Sequence, residues 1–133
     1  MSIDRVLAFI RENHRAVLAT RRRDGGVAMV PVLAVVDEKG DVLISSWEPS
    51  AKVSNLRRDP YASVCVFTDG FFGPNVQAEG RVTIESLPDA MEGLVHYYRL
   101  AAGEHPDWDD YRAAMERERR VLLRMKIERA RAS

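Results

Sequence analysis

A single cysteine, Cys65, stands among 133 residues. Neither an intrachain disulfide nor a cysteine-based zinc cluster can therefore hold the fold together. An excess of one charge is also missing: 20 Lys and Arg balance 20 Asp and Glu, a formal net charge of zero. That argues against a general binder of nucleic acid or of an anionic membrane, which carries a basic excess. No apolar run approaches the ~18 residues of a membrane span. The opening Met1-Ser2-Ile3-Asp4 lacks the basic and apolar regions of a secretion signal. A soluble, cytoplasmic protein is expected. Three histidines, His14, His96 and His105, stand far apart with no His-x-x-x-His pair, so no metal site is expected. Repeats, low-complexity tracts and linkers are absent.

What is present is a globular composition, 46% hydrophobic, which excludes wholesale disorder. The length suits one domain, residues 1–133. So short a chain buries only about two-thirds of its unfolded surface. A deep private active site is hard to build at that size, and a dimer sharing a site at its interface is the natural solution.

Apolar spacing along the chain predicts mostly strands. Ile3, Val6, Leu7 and Ile10 predict a helix over 3–13. Strands are expected over 16–20 and 27–36, with Asp24-Gly25-Gly26 turning between them. Pro31 inside the second argues for an edge or a bulge. Asp37-Glu38-Lys39-Gly40 is the next turn and 42–46 the third strand. A short helix ends near Asp59-Pro60, and a strand over 61–68 and a loop over 69–75 follow. Val76, Ala78, Gly80, Val82 and Ile84 give the clearest period-two strand. Ser86 with Pro88 signals a helix start, and Asp107 with Asp110 a second. From Val121 the period returns to two, against helix-forming propensity. Five or six strands, a leading helix and a helical pair before the last strand fit a small antiparallel barrel, which hides its edges.

The stretch from Ser45 to Pro60 is the richest in chemistry. A strand end delivers Ser45, Ser46 and Trp47 into a loop, and the loop enters a helix whose first turn holds Lys52. Unpaired N–H groups, hydroxyls and one ammonium converging there suit a phosphate. An ordinary serine-capped helix with a solvated lysine is the alternative. Cys65, between Val64 and Val66, reads as a packed thiol. Arg21-Arg22-Arg23 reads as a solvated hairpin end, and Asp107, Asp109 and Asp110 as a helix start. His105-Pro106 reads as a turn. Tyr97, Tyr98, Trp108 and Tyr111 read as core or lid.

A series of marks runs along the chain: Ala16-Val17-Leu18-Ala19-Thr20, then Met29-Val30-Pro31-Val32, then Ala51-Lys52 with Asn55-Leu56-Arg57-Arg58-Asp59-Pro60. Glu79-Gly80 follows, and Tyr97-Tyr98-Arg99 with the run from Ala102 to Tyr111 closes the series. In these marks the chain resembles the split β-barrel flavin and deazaflavin oxidoreductases, the pyridoxamine 5'-phosphate oxidase-like superfamily, and most of all its coenzyme F420 branch. The resemblance implies a mainly β split barrel with α insertions and a homodimer with cofactor sites at its interface. It implies that Lys52 is the main phosphate cation, that Ser45, Ser46 and Ser50 belong to the phosphate loop, and that Asn55 supports the loop or the phosphate. Pro31 and Val32 would lie against the ring system, with Trp47 and Asn75 beside the ring or ribityl chain. Some relatives carry a basic residue where this chain has Ser50, and Arg57 and Arg58 would compensate or serve an acidic cofactor tail. No catalytic side chain is singled out, because the cofactor brings the hydride chemistry.

The function expected from these marks is hydride transfer between coenzyme F420 and a small unsaturated acceptor. The same scaffold admits an FMN-dependent oxidase or reductase, and a non-catalytic carrier of flavin, deazaflavin or a haem breakdown product. An RNA-binding barrel using the arginine runs is opposed by the neutral net charge.

Overall fold

Alternating apolar residues build one antiparallel sheet, and amphipathic helices close its ends and one outer face. The computed structural model describes residues 3–133. In chain order the elements are α1 (Ile3–Glu12), β1 (Arg15–Arg21), β2 (Val27–Leu33), β3 (Val35–Val36), β4 (Val42–Trp47), α2 (Ala51–Arg58), β5 (Tyr61–Phe67), β6 (Asn75–Glu85), α3 (Met91–Ala102), α4 (Trp108–Arg117) and β7 (Arg120–Ala132). The strands lie in the order β2-β1-β5-β6-β7-β4-β3.

That order corrects the expected strand over 27–36. The run divides at Ala34, and its two halves sit at opposite edges of the sheet. One residue joins the two edges, so the sheet must curl back on itself. His14 fixes the crossing from both sides: its carbonyl accepts the Ala34 N–H at 2.8 Å and its Nδ1 donates to the Ala34 carbonyl at 3.0 Å. Pro31 lies in an edge strand, where its missing N–H costs no ladder bond. The strand count is thus seven rather than five or six, and the architecture is a mainly β split barrel with α insertions.

Two apolar clusters hold it. Leu18, Ile44, Val53, Leu56, Val64, Val82 and Leu123 fill the curl, with Val6 and Ile10 of α1 packed in. Val35, Leu43 and Leu122 point to the outer face and meet Leu94, Tyr111 and Met115 of α3 and α4. Leu122 is therefore buried although it breaks the alternation of β7. The helical pair begins later than Ser86 suggested: Ser86 to Ala90 form a turn, and α3 starts at Met91. Asp107 caps α4 as expected, accepting the Asp110 N–H at 3.1 Å. At the bulge between Glu79 and Gly80, a Cβ on Gly80 would overlap the Lys126 carbonyl, so only glycine lets β6 and β7 approach there.

The β3–β4 turn is tied to β7 by buried ions. Arg124 reaches Asp37 at 2.8 Å, Glu85 at 2.9 Å and Asp41 at 3.3 Å. Burial pushes the Asp37 carboxyl up. Backbone N–H bonds from Asp41 and Lys39 and the Arg124 guanidinium outweigh this and hold it below the usual range. Such a carboxylate stabilises the fold above its ordinary pKa, and the contribution is lost as pH falls through the lower folded value. We expect Arg124→Met to cost about 3–5 kcal/mol, because it strands buried carboxylates. Urea denaturation at pH 7 and at pH 4 checks it: the variant's deficit should shrink in acid, because without the guanidinium the buried Asp37 carboxyl takes up a proton more readily.

Candidate functional site

The split in the barrel is bounded by two strand edges. β3 pairs with β4 only at Val42 and Leu43, which leaves the edge of β4 from Ile44 to Trp47 without a strand neighbour. β2 pairs only with β1, so its outer edge is free as well. Tyr97 of α3 stands between them. Its hydroxyl donates to the Leu33 carbonyl at 2.9 Å, and the Ser45 N–H bonds to the Tyr97 hydroxyl oxygen. Burial pushes this phenol above its usual range, and the Ser45 N–H only partly opposes the shift. A side chain first read as core or lid therefore bridges the cleft.

At the end of β4 the chain turns through Trp47 to Ser50, whose N–H reaches the Trp47 carbonyl at 3.0 Å, and enters α2. Ser50 occupies the N-cap with extended backbone, yet its side chain makes no capping bond. Its Oγ instead lies 3.3 Å from Oγ of the buried Ser46. The start of α2 thus keeps its partial positive charge and unsatisfied donors. Lys52 is half-buried in that first turn. No carboxylate or other acceptor among the described residues bonds its ammonium. Burial pushes the Lys52 pKa down, and the neighbouring Arg120 cation pushes it further. A half-buried ammonium that no carboxylate bonds, within electrostatic reach of a second cation, has the chemistry that suits an anion.

The remaining expected residues divide. Asn55 is buried, donates to Thr20 Oγ1 at 3.1 Å and receives Arg58 at 3.5 Å, so it locks α2 to β1. Arg57 is paired with Glu48 at 2.6 Å, and Arg58 also donates to the Arg21 carbonyl, so neither faces Lys52 as a spare cation. Trp47 is half-exposed opposite Arg120 on β7. Pro31 is exposed on β2, whereas Val32 packs against the core. A ring lying on this edge would meet the Pro31 side chain and the Val32 backbone. Asn75 is not brought to the others. The row through Ser45 crosses β6 at its far end, Glu85. Asn75 lies roughly 33 Å away along the strand, at ~3.3 Å per residue.

Sequence reasoning missed Arg120. Its place depends on β4 pairing with β7, and the only local signal was an arginine at the start of the final alternation. Cys65 is half-buried, and burial pushes its thiol above the usual range, in keeping with a packed residue. His105 accepts the Asp107 N–H at 2.9 Å within the turn before α4. Among the described residues no helix is long and apolar enough to cross a membrane.

A curled antiparallel sheet, a split between free edges and a basic helix start beside it define a flavin-binding type of barrel. The pyridoxamine 5'-phosphate oxidase family model matches residues 2–133, and the chain belongs to that family of flavin-binding oxidoreductases. Among solved structures it is similar to the conserved hypothetical protein Rv2991 of Mycobacterium tuberculosis, with a TM-score of 0.81, 24% identity, and 99% of this chain and 84% of that one covered. It is also similar to a protein titled F420 Reductase, with a TM-score of 0.72, 16% identity and coverage of 93% and 94%. A pyridoxamine 5'-phosphate oxidase-related, FMN binding protein of Nostoc punctiforme gives a TM-score of 0.66, 17% identity and coverage of 97% and 76%.

Proposed function

We propose that the chain is an oxidoreductase that binds coenzyme F420 in the split, with its phosphate at the start of α2, and serves hydride transfer to a small unsaturated acceptor. The observation that carries this reading is the half-buried Lys52 ammonium, without a counter-ion, at an uncapped helix start. Lys52, the Ser46 and Ser50 hydroxyls and the first N–H groups of α2 would hold the phosphate. Pro31 and the free edge of β4 would border the ring, with Ser45 and Tyr97 at its side. When bound, the cofactor supplies the hydride chemistry. The protein's part is to grip the phosphate, orient the ring and keep the cleft narrow. The preference for the deazaflavin draws on the run from Tyr97 to Tyr111, which here forms the α3–α4 corner that carries Tyr97 into the split. FMN is the second reading, supported by the phosphate that both cofactors share and by the FMN binding relative.

Fluorescence titration with coenzyme F420 and, separately, with FMN tests the choice. Tighter binding of coenzyme F420 supports the proposal. Tighter binding of FMN moves the chain to the flavin reading, and a cofactor bound without turnover of any acceptor makes it a carrier. In either cofactor case Lys52→Ala is expected to weaken binding by about 1.5–3 kcal/mol, the scale of a hydrogen bond to a charged group. Unchanged affinity would remove the phosphate assignment.

The functional unit in this reading is a homodimer. A second copy would bring its Asn75 to the Lys52 site. The outer face of β1, β5, β6 and β7 carries a concavity of about 620 Å³ that includes Val17, Met29 and Cys65. Val27, Met29, Leu33, Phe71 and Phe72 are exposed, Phe71 and Phe72 almost completely. Apolar surface on this scale suits an interface. Size exclusion with light scattering should give twice the chain mass, and a stable monomer with full cofactor affinity would contradict the shared site.

A further inference from the structure

We propose that Arg120 is a second ligand of the phosphate at the start of α2, positioned by Glu118. The inference rests on the reading of Lys52 as a phosphate cation.

Three features of the chain place it there. The β4–β7 register sets Arg120 opposite Trp47, the last residue of β4. The next residue, Glu48, donates its N–H to the Arg119 carbonyl at 3.0 Å, so the start of β7 and the entrance to α2 are one hydrogen-bonded unit. Arg119 has φ +54, in the left-handed region that non-glycine residues rarely occupy. That conformation turns the chain sharply out of α4. Val121, the next residue of β7, faces the core, so Arg120 falls on the outer face.

The guanidinium is anchored but not used up. Arg120 Nε donates to Glu118 Oε1 at 2.9 Å, and the side chain is 32% exposed. No acceptor among the described residues bonds its two Nη groups. Glu118 therefore fixes the plane of the guanidinium and leaves the outer fork open. A planar fork of this kind matches two phosphate oxygens at once, which a lysine in the same place does not. Arg57 and Arg58 are engaged elsewhere, with Glu48 and with Asn55 and the Arg21 carbonyl. Lys52 and Arg120 are within electrostatic reach and repel each other, and a bound phosphate turns that repulsion into two attractions.

The test separates a phosphate ligand from a structural residue by comparing cofactors with and without phosphate. Dissociation constants are measured for FMN against riboflavin, and for coenzyme F420 against the phosphate-free ribityl deazaflavin, on the full chain. Arg120→Gln should reduce the affinity gained from the phosphate about tenfold, the scale of one charged hydrogen bond, while the phosphate-free ligands bind as before. Arg120→Lys should restore part of the gain, since it keeps the charge but not the fork. Equal weakening of both ligand forms by Arg120→Gln would make Arg120 structural and overturn the inference. Loss of the phosphate gain in Lys52→Ala but not in Arg120→Gln would overturn it too, with the phosphate site left standing. No phosphate gain in the unmodified protein would remove the phosphate site and the inference together.

Discussion

The rest of the structure depends on the crossing at Ala34. Adjacent stretches of one apolar run are committed to opposite edges of the sheet, and His14 clamps the residue between them. A single linking residue forces the sheet to curl, and the shortness of β3 stops the curl from sealing. Two strand edges are left facing each other with their backbone groups available. An unpaired buried edge is costly unless something meets its donors and acceptors. Tyr97 meets part of the demand by bridging Leu33 and Ser45. The helical pair that carries Tyr97 is held on the sheet by its own apolar cluster around Leu43, Leu94 and Leu122. Core packing on the outer face and the shape of the split are thus one problem with one solution.

Charge is distributed to match. Several arginines of the chain have carboxylate partners: Arg15 with Asp69, Arg22 with Asp24, Arg99 with Glu104, Arg112 with Glu92, and Arg124 with three carboxylates. Against that background Lys52 stands out, because it is half-buried and has no acceptor. Exposed ion pairs contribute little individually. A half-buried ammonium next to Arg120 weighs more, because its desolvation is uncompensated until an anion arrives. Asn55 has a supporting part in this account: by locking α2 to Thr20 it fixes the direction in which the helix start points.

Much of this architecture was legible in the sequence, and the exceptions share a cause. β6 announced itself through Val76, Ala78, Gly80 and Val82, all buried on one side, because period-two burial is a local signal. Lys52 at a helix start was likewise readable, since strand end, loop and helix are contiguous. The division at Ala34 was not, because a run that serves two edges has the same apolar composition as one long strand. Leu122 looked like a solvent-facing position until α3 and α4 were placed over it. Arg120 and the separation of Asn75 from Ser45 both depend on strand pairings distant in sequence, which no local pattern carries. Asn55 was read as a support for the loop or the phosphate. The structure shows both ends of its amide in use, a distinction that requires knowing where Thr20 and Arg58 lie.

The measurement that bears most directly on the central claim is a pH titration of the Lys52 side-chain amine by NMR, without ligand and with saturating coenzyme F420 or FMN. The account predicts a pKa below that of an ordinary lysine in the free protein, since burial and Arg120 both disfavour its charge. It predicts an upward shift when a phosphate-bearing cofactor binds, because a neighbouring anion favours the protonated form. By linkage, affinity should fall as pH rises through the free-state value. A Lys52 amine that titrates like free lysine, and is indifferent to a bound cofactor, would contradict it.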